Sequence, residues 1–150
     1  MITMIKGWGT CPPFAGVSII SKAMGEKITI LVIDDEPIVG DALMTVLSDS
    51  GYEVAVARTG REGLDKAREK RFDVTITDLG LPDMMGLDVL INIREKDPCS
   101  LVIIITAHHT PEIVDESRRL GAIDVLAKPF SPSDVLSLLS KTLGKQGRIH

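Results

Sequence analysis

The sequence predicts an α/β fold in which a parallel five-stranded sheet is covered by helices on both faces. Apolar segments of strand length alternate five times with segments whose apolar residues recur at helical spacing. The strand segments are apolar at consecutive positions, which indicates that both faces of the sheet are buried. Right-handed crossovers between successive strands then give a doubly wound sheet whose ligands bind at the carboxyl edge.

The first β–α unit occupies residues 28–49. Residues 28–33 form an apolar run, and the predicted helix begins with Pro37, whose missing N–H costs little in a first turn. Gly51 suits the end of this helix because glycine tolerates a positive φ. Four apolar residues of the helix share one face: Val39, Leu43, Val46 and Leu47.

The second and third units follow the same pattern. Residues 52–57 are the second predicted strand, and Thr59 is a suitable N-cap for a polar helix that runs to about Lys70. Residues 73–77 are the third strand, and a loop rich in Gly and Pro follows at residues 78–86. The third helix ends before Pro98 and places four residues on one face: Leu87, Leu90, Ile91 and Arg94.

The last two units complete the predicted sheet. Residues 101–105 are the fourth strand, and a weaker helix over residues 111–120 ends at Gly121. Residues 123–127 are the fifth strand. The final helix has an apolar face made of Val135, Leu138, Leu139 and Leu143.

The domain boundaries follow from composition. We expect residues 1–26 to be a leader outside the fold, because this segment is rich in Gly and Pro and lacks any helical or strand periodicity. Its glycines and prolines also interrupt any apolar stretch that could serve as a secretory signal. We expect the domain to span residues 27–145 and residues 146–150 to form a C-terminal tail.

Charge and composition argue against several functions. The net charge of −4 and the absence of a long basic run argue against direct binding of nucleic acid or of a membrane surface. The longest apolar runs have the length of a strand, too short to cross a bilayer. Cys11 and Cys99 form neither a CxxC motif nor a disulfide framework, so we expect a reducing, cytoplasmic setting.

Polar residues follow four of the five predicted strands. Asp34 and Asp35 follow the first strand, Asp78 the third, Thr106 the fourth and Lys128 the fifth. Because the carboxyl ends of parallel strands share one edge of the sheet, we expect these side chains to meet. Carboxylates supply the oxygen ligands of Mg²⁺, and a carboxylate can also attack phosphorus as a nucleophile. An ammonium and a hydroxyl stabilise phosphoryl oxygens, so the set indicates phosphoryl transfer.

Four segments around these residues resemble the landmarks of a known family. The segments VIDDEP, TDLGLPDMMGL, ITA and AKPF are similar, in order and strand context, to those of the response-regulator receiver domain of two-component signal transduction. The resemblance covers about residues 27–144. It implies the flavodoxin-like fold of chemotaxis regulators, with strand order 2-1-3-4-5 and five helices.

The resemblance also implies a role for each polar residue at the edge. Asp78 is the phosphoacceptor and a metal ligand, Asp35 binds Mg²⁺ directly, and Asp34 supports the metal through water. The backbone carbonyl of Gly80 completes the protein's share of the metal ligands. Lys128 pairs with Asp78 at rest and with the phosphoryl group afterwards.

Three further residues complete the expected site. Thr106 donates its hydroxyl to a phosphoryl oxygen and draws its loop inward, and Pro129 follows a cis peptide bond that directs the preceding lysine into the site. Val125 stands where the family usually has an aromatic residue that acts with the threonine as a rotameric switch. A valine has no ring to swing, so the readout must use other groups. Gly80 replaces a residue that is often bulkier, which leaves the phosphoryl group more open to water.

Simpler roles stay open for each residue taken alone. Asp34 and Asp35 could cap the first helix, and Asp78 could form a turn. Thr106 could be a loop hydroxyl and Lys128 a surface charge at a strand end. Their joint occurrence at matching strand ends favours one shared site. For the pair His108 and His109, a solvated loop is favoured over a metal site because no third spaced ligand accompanies them.

The resemblance implies a sensor histidine kinase or a phosphotransfer protein as phosphoryl donor. We expect the signal to pass to a downstream effector protein or to an effector domain outside this chain, with homodimerisation on phosphorylation. We expect no general enzyme activity beyond the protein's own phosphorylation and dephosphorylation.

Two other functions remain open. A Mg²⁺-dependent phosphatase with an aspartyl nucleophile would have a DxD motif after the first strand, whereas this chain has adjacent aspartates and no inserted cap domain. A degenerate receiver that binds partners without phosphorylation fits less well, because Asp35, Asp78, Thr106 and Lys128 are all retained. Turnover of a phosphomonoester distinguishes the first alternative, and labelling by acetyl phosphate distinguishes the second.

Overall fold

The computed structural model describes residues 27–147, with side chains up to residue 143, and the predicted leader lies outside these residues. The strands are β1 (Thr29–Ile33), β2 (Glu53–Ala57), β3 (Val74–Asp78), β4 (Leu101–Thr106) and β5 (Asp124–Ala127). The helices are α1 (Pro37–Asp49), α2 (Gly60–Glu69), α3 (Gly86–Lys96), α4 (Pro111–Arg119) and α5 (Pro132–Gly147). All strand pairs are parallel, in the order β2-β1-β3-β4-β5, which confirms the predicted fold.

The three central strands are buried at every position, whereas the edge strands β2 and β5 are partly exposed. This agrees with the consecutive apolar residues of the central strands. The register places Asp78 of β3 beside Ile105 of β4, and Thr106 beside Ala127 of β5. The polar ends of these strands therefore lie along the same edge of the sheet.

Each face of the sheet packs against its own group of helices. One core contains Leu43 and Leu47 of α1 with Val135 and Leu139 of α5, and the other contains residues of α2, α3 and α4. Burying one such apolar side chain contributes about 1.5–3 kcal/mol to stability. The two cores hold the sheet between them, so its carboxyl edge is a rigid platform for polar groups.

The helix ends follow the predicted local chemistry. The Oγ1 of Thr59 accepts a hydrogen bond of 3.0 Å from the backbone N–H of Glu62, which caps α2. Pro37 is in the first turn of α1, and Gly51 follows this helix with a φ of +99°. Gly121 has a φ of +110° and ends the segment after α4. Both glycines occupy the left-handed region that other residues rarely adopt.

Arg94 differs from the apolar residues with which it shares a helical face. Its guanidinium is buried and donates hydrogen bonds to the carbonyls of Pro98 (2.7 Å) and Ser100 (3.3 Å). Burial lowers the pKa of this guanidinium. A Cβ on Gly121 would lie 2.7 Å from the arginine Nε, so α3 and the turn after α4 are in close contact.

Two observations differ from the sequence predictions. The last helix runs to Gly147, two residues past the predicted domain end, because nothing in "GKQG" terminates a helix before the second glycine. Cys99 is disulfide-bonded, which a chain with only two widely spaced cysteines gave no pattern to predict. Within residues 27–147, no helix combines the length and the apolar character needed to cross a bilayer.

Candidate functional site

An acidic cluster lies at the carboxyl edge of the sheet. Asp34 and Asp35 directly follow β1, and Asp78 is the last residue of β3. One carboxylate oxygen from each of the three lies within 4.8 Å of the others. Asp34 and Asp78 are buried, whereas Asp35 is exposed. These side chains meet as predicted, because β1 and β3 are neighbours in the sheet.

Asp34 is the most enclosed of the three carboxylates. Its Oδ1 accepts a hydrogen bond of 2.9 Å from the backbone N–H of Glu36, which shapes the turn into α1. Its Oδ2 lies 3.2 Å from Nζ of Lys128 as an ion pair, without a hydrogen bond to any described group. Burial raises the pKa of Asp34, and although the Glu36 N–H opposes this shift, the nearby Asp78 carboxylate adds to it. A nearby cation would therefore strongly stabilise the negative charge of the buried Oδ2.

Lys128 follows β5 and brings one ammonium to three carboxylates. Its Nζ lies 2.6 Å from Oε1 of Glu36, 3.1 Å from Oδ2 of Asp78 and 3.2 Å from Oδ2 of Asp34. Burial by itself lowers the pKa of Lys128, but these carboxylates outweigh it, and the net effect is a raised pKa. The lysine therefore stays charged throughout the physiological pH range.

The backbone around Lys128 fixes the direction of its side chain. Its N–H donates a 2.8 Å hydrogen bond to the carbonyl of Thr106, which continues the pairing of β4 with β5 to the end of the sheet. The Lys128–Pro129 peptide bond is cis, as the resemblance implied. Only 15% of the lysine side chain is exposed, so the ammonium is aimed inward.

Thr106 is the last residue of β4 and is buried. Its Oγ1 accepts a 2.9 Å hydrogen bond from the backbone N–H of His108. A threonine hydroxyl can accept and donate at the same time, so this bond leaves its proton available to a ligand oxygen. The hydroxyl also links the end of β4 to the first turn of the loop before α4.

The loop between β3 and α3 is drawn close to the acidic cluster. The N–H of Gly86 donates a 2.6 Å hydrogen bond to the carbonyl of Leu79. A Cβ on Gly86 would lie 2.3 Å from the carbonyl oxygen of Asp78, so only glycine permits this approach. Gly80, the predicted carbonyl ligand, is exposed in the same loop and bridges to Met85.

Asp83 fastens this loop to α2. Its two carboxylate oxygens accept hydrogen bonds of 2.8 and 2.9 Å from the first N–H groups of the helix, those of Gly60 and Arg61. The Arg61 N–H and then the Gly60 N–H lower the pKa of Asp83. Met84 packs against Gly60, where a Cβ would lie 2.4 Å from the methionine Cγ. Met84 therefore has a packing role between this loop and α2.

Val125 of β5 and the histidine pair that follows β4 lie on the side of the site formed by these two strands. Val125 is buried in β5, and its carbonyl lies 3.2 Å from Nε2 of His109. His108 and His109 are exposed. Within the described part of the chain, the acidic cluster is the one group of three ligands that could hold a metal, and neither histidine belongs to it.

Sequence reasoning missed Glu36 and Asp83. The signal for Glu36 was present, because a third carboxylate directly follows the aspartate pair. Its contact with Lys128 depends on the turn made by Asp34, and sequence alone does not fix that turn. Asp83 reaches a helix more than twenty residues away in the chain, so no local pattern identifies it.

The donor set of the acidic cluster fits Mg²⁺. Hard carboxylate oxygens within a few ångströms of one another match the ligands of this ion, which takes few protein ligands and keeps several waters. The exposed Asp35 suits a direct ligand of the metal. The buried Oδ2 of Asp34, which has no hydrogen-bond partner among the described residues, suits a contact with the metal through water.

Comparison with known proteins agrees with this geometry. The family model of the response regulator receiver domain matches residues 30–140. The chain is 34% identical over 119 residues to the chemotaxis protein CheY of Thermotoga maritima, an alignment that covers 79% of this chain and 98% of that protein. It is also 35% identical over 126 residues to the probable transcriptional regulatory protein TcrX of Mycobacterium tuberculosis, covering 84% of this chain and 54% of TcrX. The chain thus spans about half the length of that regulator.

A solved structure extends the similarity to three dimensions. The crystal structure of the CheX–CheY–BeF3–Mg complex from Borrelia burgdorferi contains a chain that matches with a TM-score of 0.76 and 25% identity. The match covers 80% of this chain and 92% of that one. Since the family model, the curated relatives and the strand order all agree, this chain belongs to the response regulator receiver domain family of two-component systems.

Proposed function

We propose that the protein accepts a phosphoryl group on Asp78 in a Mg²⁺-dependent reaction and changes conformation to signal to a downstream partner. The observation that carries this proposal is the position of Lys128. Its ammonium contacts Asp78 and Asp34 within an edge that also holds Asp35. A lysine that only shielded surface charge would not be turned inward against two buried carboxylates.

The chemical step is a displacement at phosphorus. A carboxylate oxygen of Asp78 attacks the phosphorus atom of a phosphohistidine, and the P–N bond breaks. The imidazole leaves with the electron pair, and an acyl phosphate remains on the aspartate. Lys128 and the Thr106 hydroxyl stabilise the negative charge on the phosphoryl oxygens, and bound Mg²⁺ supplies further positive charge to them.

The resting contacts of Lys128 prepare it for this step. At rest its Nζ is shared by Asp34, Asp78 and Glu36. Glu36 is the most exposed of these partners, with 58% of its side chain accessible, so its ion pair costs least to break. We expect the ammonium to leave Glu36 and follow the phosphoryl group while Asp34 keeps it at the edge.

The partners proposed here follow from the family. The phosphoryl donor is a sensor histidine kinase or a phosphotransfer protein, and the output passes to an effector protein or effector domain. Among relatives, TcrX is a transcriptional regulatory protein, and the Borrelia CheY forms a complex with CheX. We propose that this chain performs no chemistry on other substrates, which a phosphomonoester turnover assay tests.

The decisive experiment is mass spectrometry of the intact protein after incubation with acetyl phosphate and Mg²⁺. We expect one phosphoryl group on the wild type, removed by hydroxylamine, and none on Asp78→Asn. Asp115→Asn, an exposed aspartate of α4, is the matched control and should label like the wild type. Labelling of Asp78→Asn at the wild-type rate would refute the proposal.

A second experiment separates the roles of the two adjacent aspartates. Asp35 is exposed and free to ligate the metal directly, whereas Asp34 is buried and held by the Glu36 N–H. We therefore expect Asp35→Asn to weaken Mg²⁺ binding more than Asp34→Asn does. The loss of affinity in Asp35→Asn should be about tenfold or more. Titration of Mg²⁺ by calorimetry measures both, and equal losses would contradict the division of roles.

A further inference from the structure

A cavity lies away from the acidic cluster, beneath the carboxyl ends of α2 and α3. Its volume is about 380 Å³, within the range of small-molecule sites. Its walls include the apolar side chains of Ala67, Phe72 and Ile93. An adjoining cavity of about 210 Å³ shares Ala67 and Ile93 and extends the space along the groove between the two helices. The pair of cavities is large enough for a ligand of one ring with substituents.

Thr75 of β3 also lines this cavity, and its hydroxyl has an unmet hydrogen-bonding requirement. Val74 and Ile76 pack into the core beneath α1 and α5, so the intervening Thr75 faces α2 and α3. Thr75 is 1% exposed, and its Oγ1 has no hydrogen-bond partner among the described residues. A buried hydroxyl without a partner destabilises the fold, and a ligand that bonds to it offsets this loss.

The rim of the cavity carries charged groups of both signs. Its charged lining residues are Arg68, Arg71, Lys96 and Asp97. Arg71 is neutralised by Asp73 and Asp97, at 2.8 and 2.6 Å, and Arg68 pairs with Asp65. Lys96 forms no ion pair with any residue of the described chain, so it is available to an anion.

A simpler explanation covers part of this arrangement. Cations in the last turns of α2 and α3 complement the negative ends of the helix dipoles, which accounts for Arg68 and Lys96. It accounts neither for the cavity nor for the unpartnered Thr75 hydroxyl. A ligand that satisfies both groups must combine a hydrogen-bonding anionic group with an apolar body.

We propose that this cavity binds a small organic carboxylate with an aromatic or aliphatic body. The carboxylate lies between Lys96 and the Thr75 hydroxyl, and the body packs on Phe72, Ile93 and Ala67. The site is independent of the phosphoryl chemistry, because none of its lining residues belongs to the acidic cluster.

The test uses the full chain, labelled with ¹⁵N, and three probes: benzoate, benzyl alcohol and inorganic phosphate. We expect benzoate to shift the backbone resonances around the ends of α2 and α3 in a saturable manner. Benzyl alcohol, which has the ring without the charge, and phosphate, which has charge without the ring, should each bind more weakly. If inorganic phosphate binds as tightly as benzoate, the proposed class of ligand is wrong. If benzoate causes no saturable shifts, the proposed site is wrong.

Two variants test the residues. Lys96→Gln should weaken benzoate binding by up to about fivefold, the range of an exposed ion pair, and Lys141→Gln, an exposed lysine of α5, should leave it unchanged. Thr75→Val should weaken binding by about threefold to tenfold without lowering the thermal unfolding midpoint, because it removes an unpartnered hydroxyl. Unchanged benzoate affinity in both variants, or a lowered midpoint in Thr75→Val, would overturn the arrangement.

Discussion

Helices α3 and α4 follow neighbouring strands of the same sheet but are held very differently. Helix α3 buries Val89, Leu90 and Ile93 against the sheet, whereas the one buried residue of α4 is Ser117. The loop before α3 is fixed by the Gly86 contact and by the bonds of Asp83 to α2. The loop before α4 is held near the site by two hydrogen bonds, at Thr106 and His109.

This difference separates the fixed part of the site from the part able to move. Asp78 and its loop form the rigid side, on which the proposed acceptor oxygen would keep its position for in-line attack. Thr106 and the segment after it form the loosely packed side, where few buried apolar contacts oppose a rearrangement. In this chain the proposed acceptor Asp78 and the proposed movable residue Thr106 thus lie at the ends of adjacent strands.

The largest predicted effect concerns the rigid side. Gly86→Ala forces a Cβ to within 2.3 Å of the Asp78 carbonyl oxygen, and 2.8 Å of the Leu79 Cα, so the backbone must shift. We expect a loss of about 1–3 kcal/mol in the free energy of unfolding and much slower labelling by acetyl phosphate. Urea denaturation and intact mass measure the two effects.

The control for this substitution lies six residues earlier in the same loop. A Cβ on Gly80 would meet no atom within 4 Å, and its φ is not positive, so Gly80→Ala should fold with nearly wild-type stability. If both variants lose stability equally, the close approach of Gly86 to Asp78 is not what fixes the loop.

The next effect concerns the movable side. With no aromatic ring at Val125 to change rotamer, we expect the Thr106 displacement to be carried by the backbone of residues 107–120. Hydrogen exchange with and without beryllofluoride, a phosphoryl mimic, should change by about tenfold in this segment and little in α3. Unchanged exchange in residues 107–120 together with changes in α3 would reverse the assignment of the two sides.

The smallest predicted effect is the pH dependence of the stability that Asp83 contributes through its hydrogen bonds to the start of α2. The pKa of Asp83 is lowered in the fold, so its stabilising contribution is present above its unfolded pKa of about 3.9 and is lost as the pH falls through the lower folded value. Asp83→Asn should be less stable than the wild type near neutral pH, and this difference should shrink below about pH 4. Urea midpoints across pH 3–7 measure it, and a pH-independent difference would contradict the role of the charge.

The sequence pattern was sufficient to predict a parallel five-stranded sheet and the meeting of Asp34, Asp78 and Lys128, whereas the strand order came from the family resemblance. Buried parallel strands have a strong apolar signal, and their carboxyl ends must share an edge whatever the details of the loops. The boundaries were accurate to about two residues, and the cap at Thr59 was correct because capping is local chemistry.

Contacts that depend on tertiary geometry escaped prediction. The glycine contact of Gly86 with the Asp78 carbonyl requires the path of the loop, which the motif alone does not specify. The bond of His109 to Val125 joins residues sixteen positions apart across an edge strand. The hydrogen bonds of Arg94 could not be predicted either, because a helical pattern shows which face a residue occupies but not which carbonyls lie near its side chain.

Arg94 has a mechanical consequence for α4. The turn at Gly121, which follows α4, rests directly on the arginine side chain, while the other end of α4 begins after Thr110, beside the carboxyl edge of the sheet. Because the contact at Gly121 holds the far end of α4 and few buried apolar residues hold the near end, we expect this helix to pivot rather than to slide along its axis. We therefore expect a small displacement at Thr106 to swing the near end of α4 about its contact with Arg94.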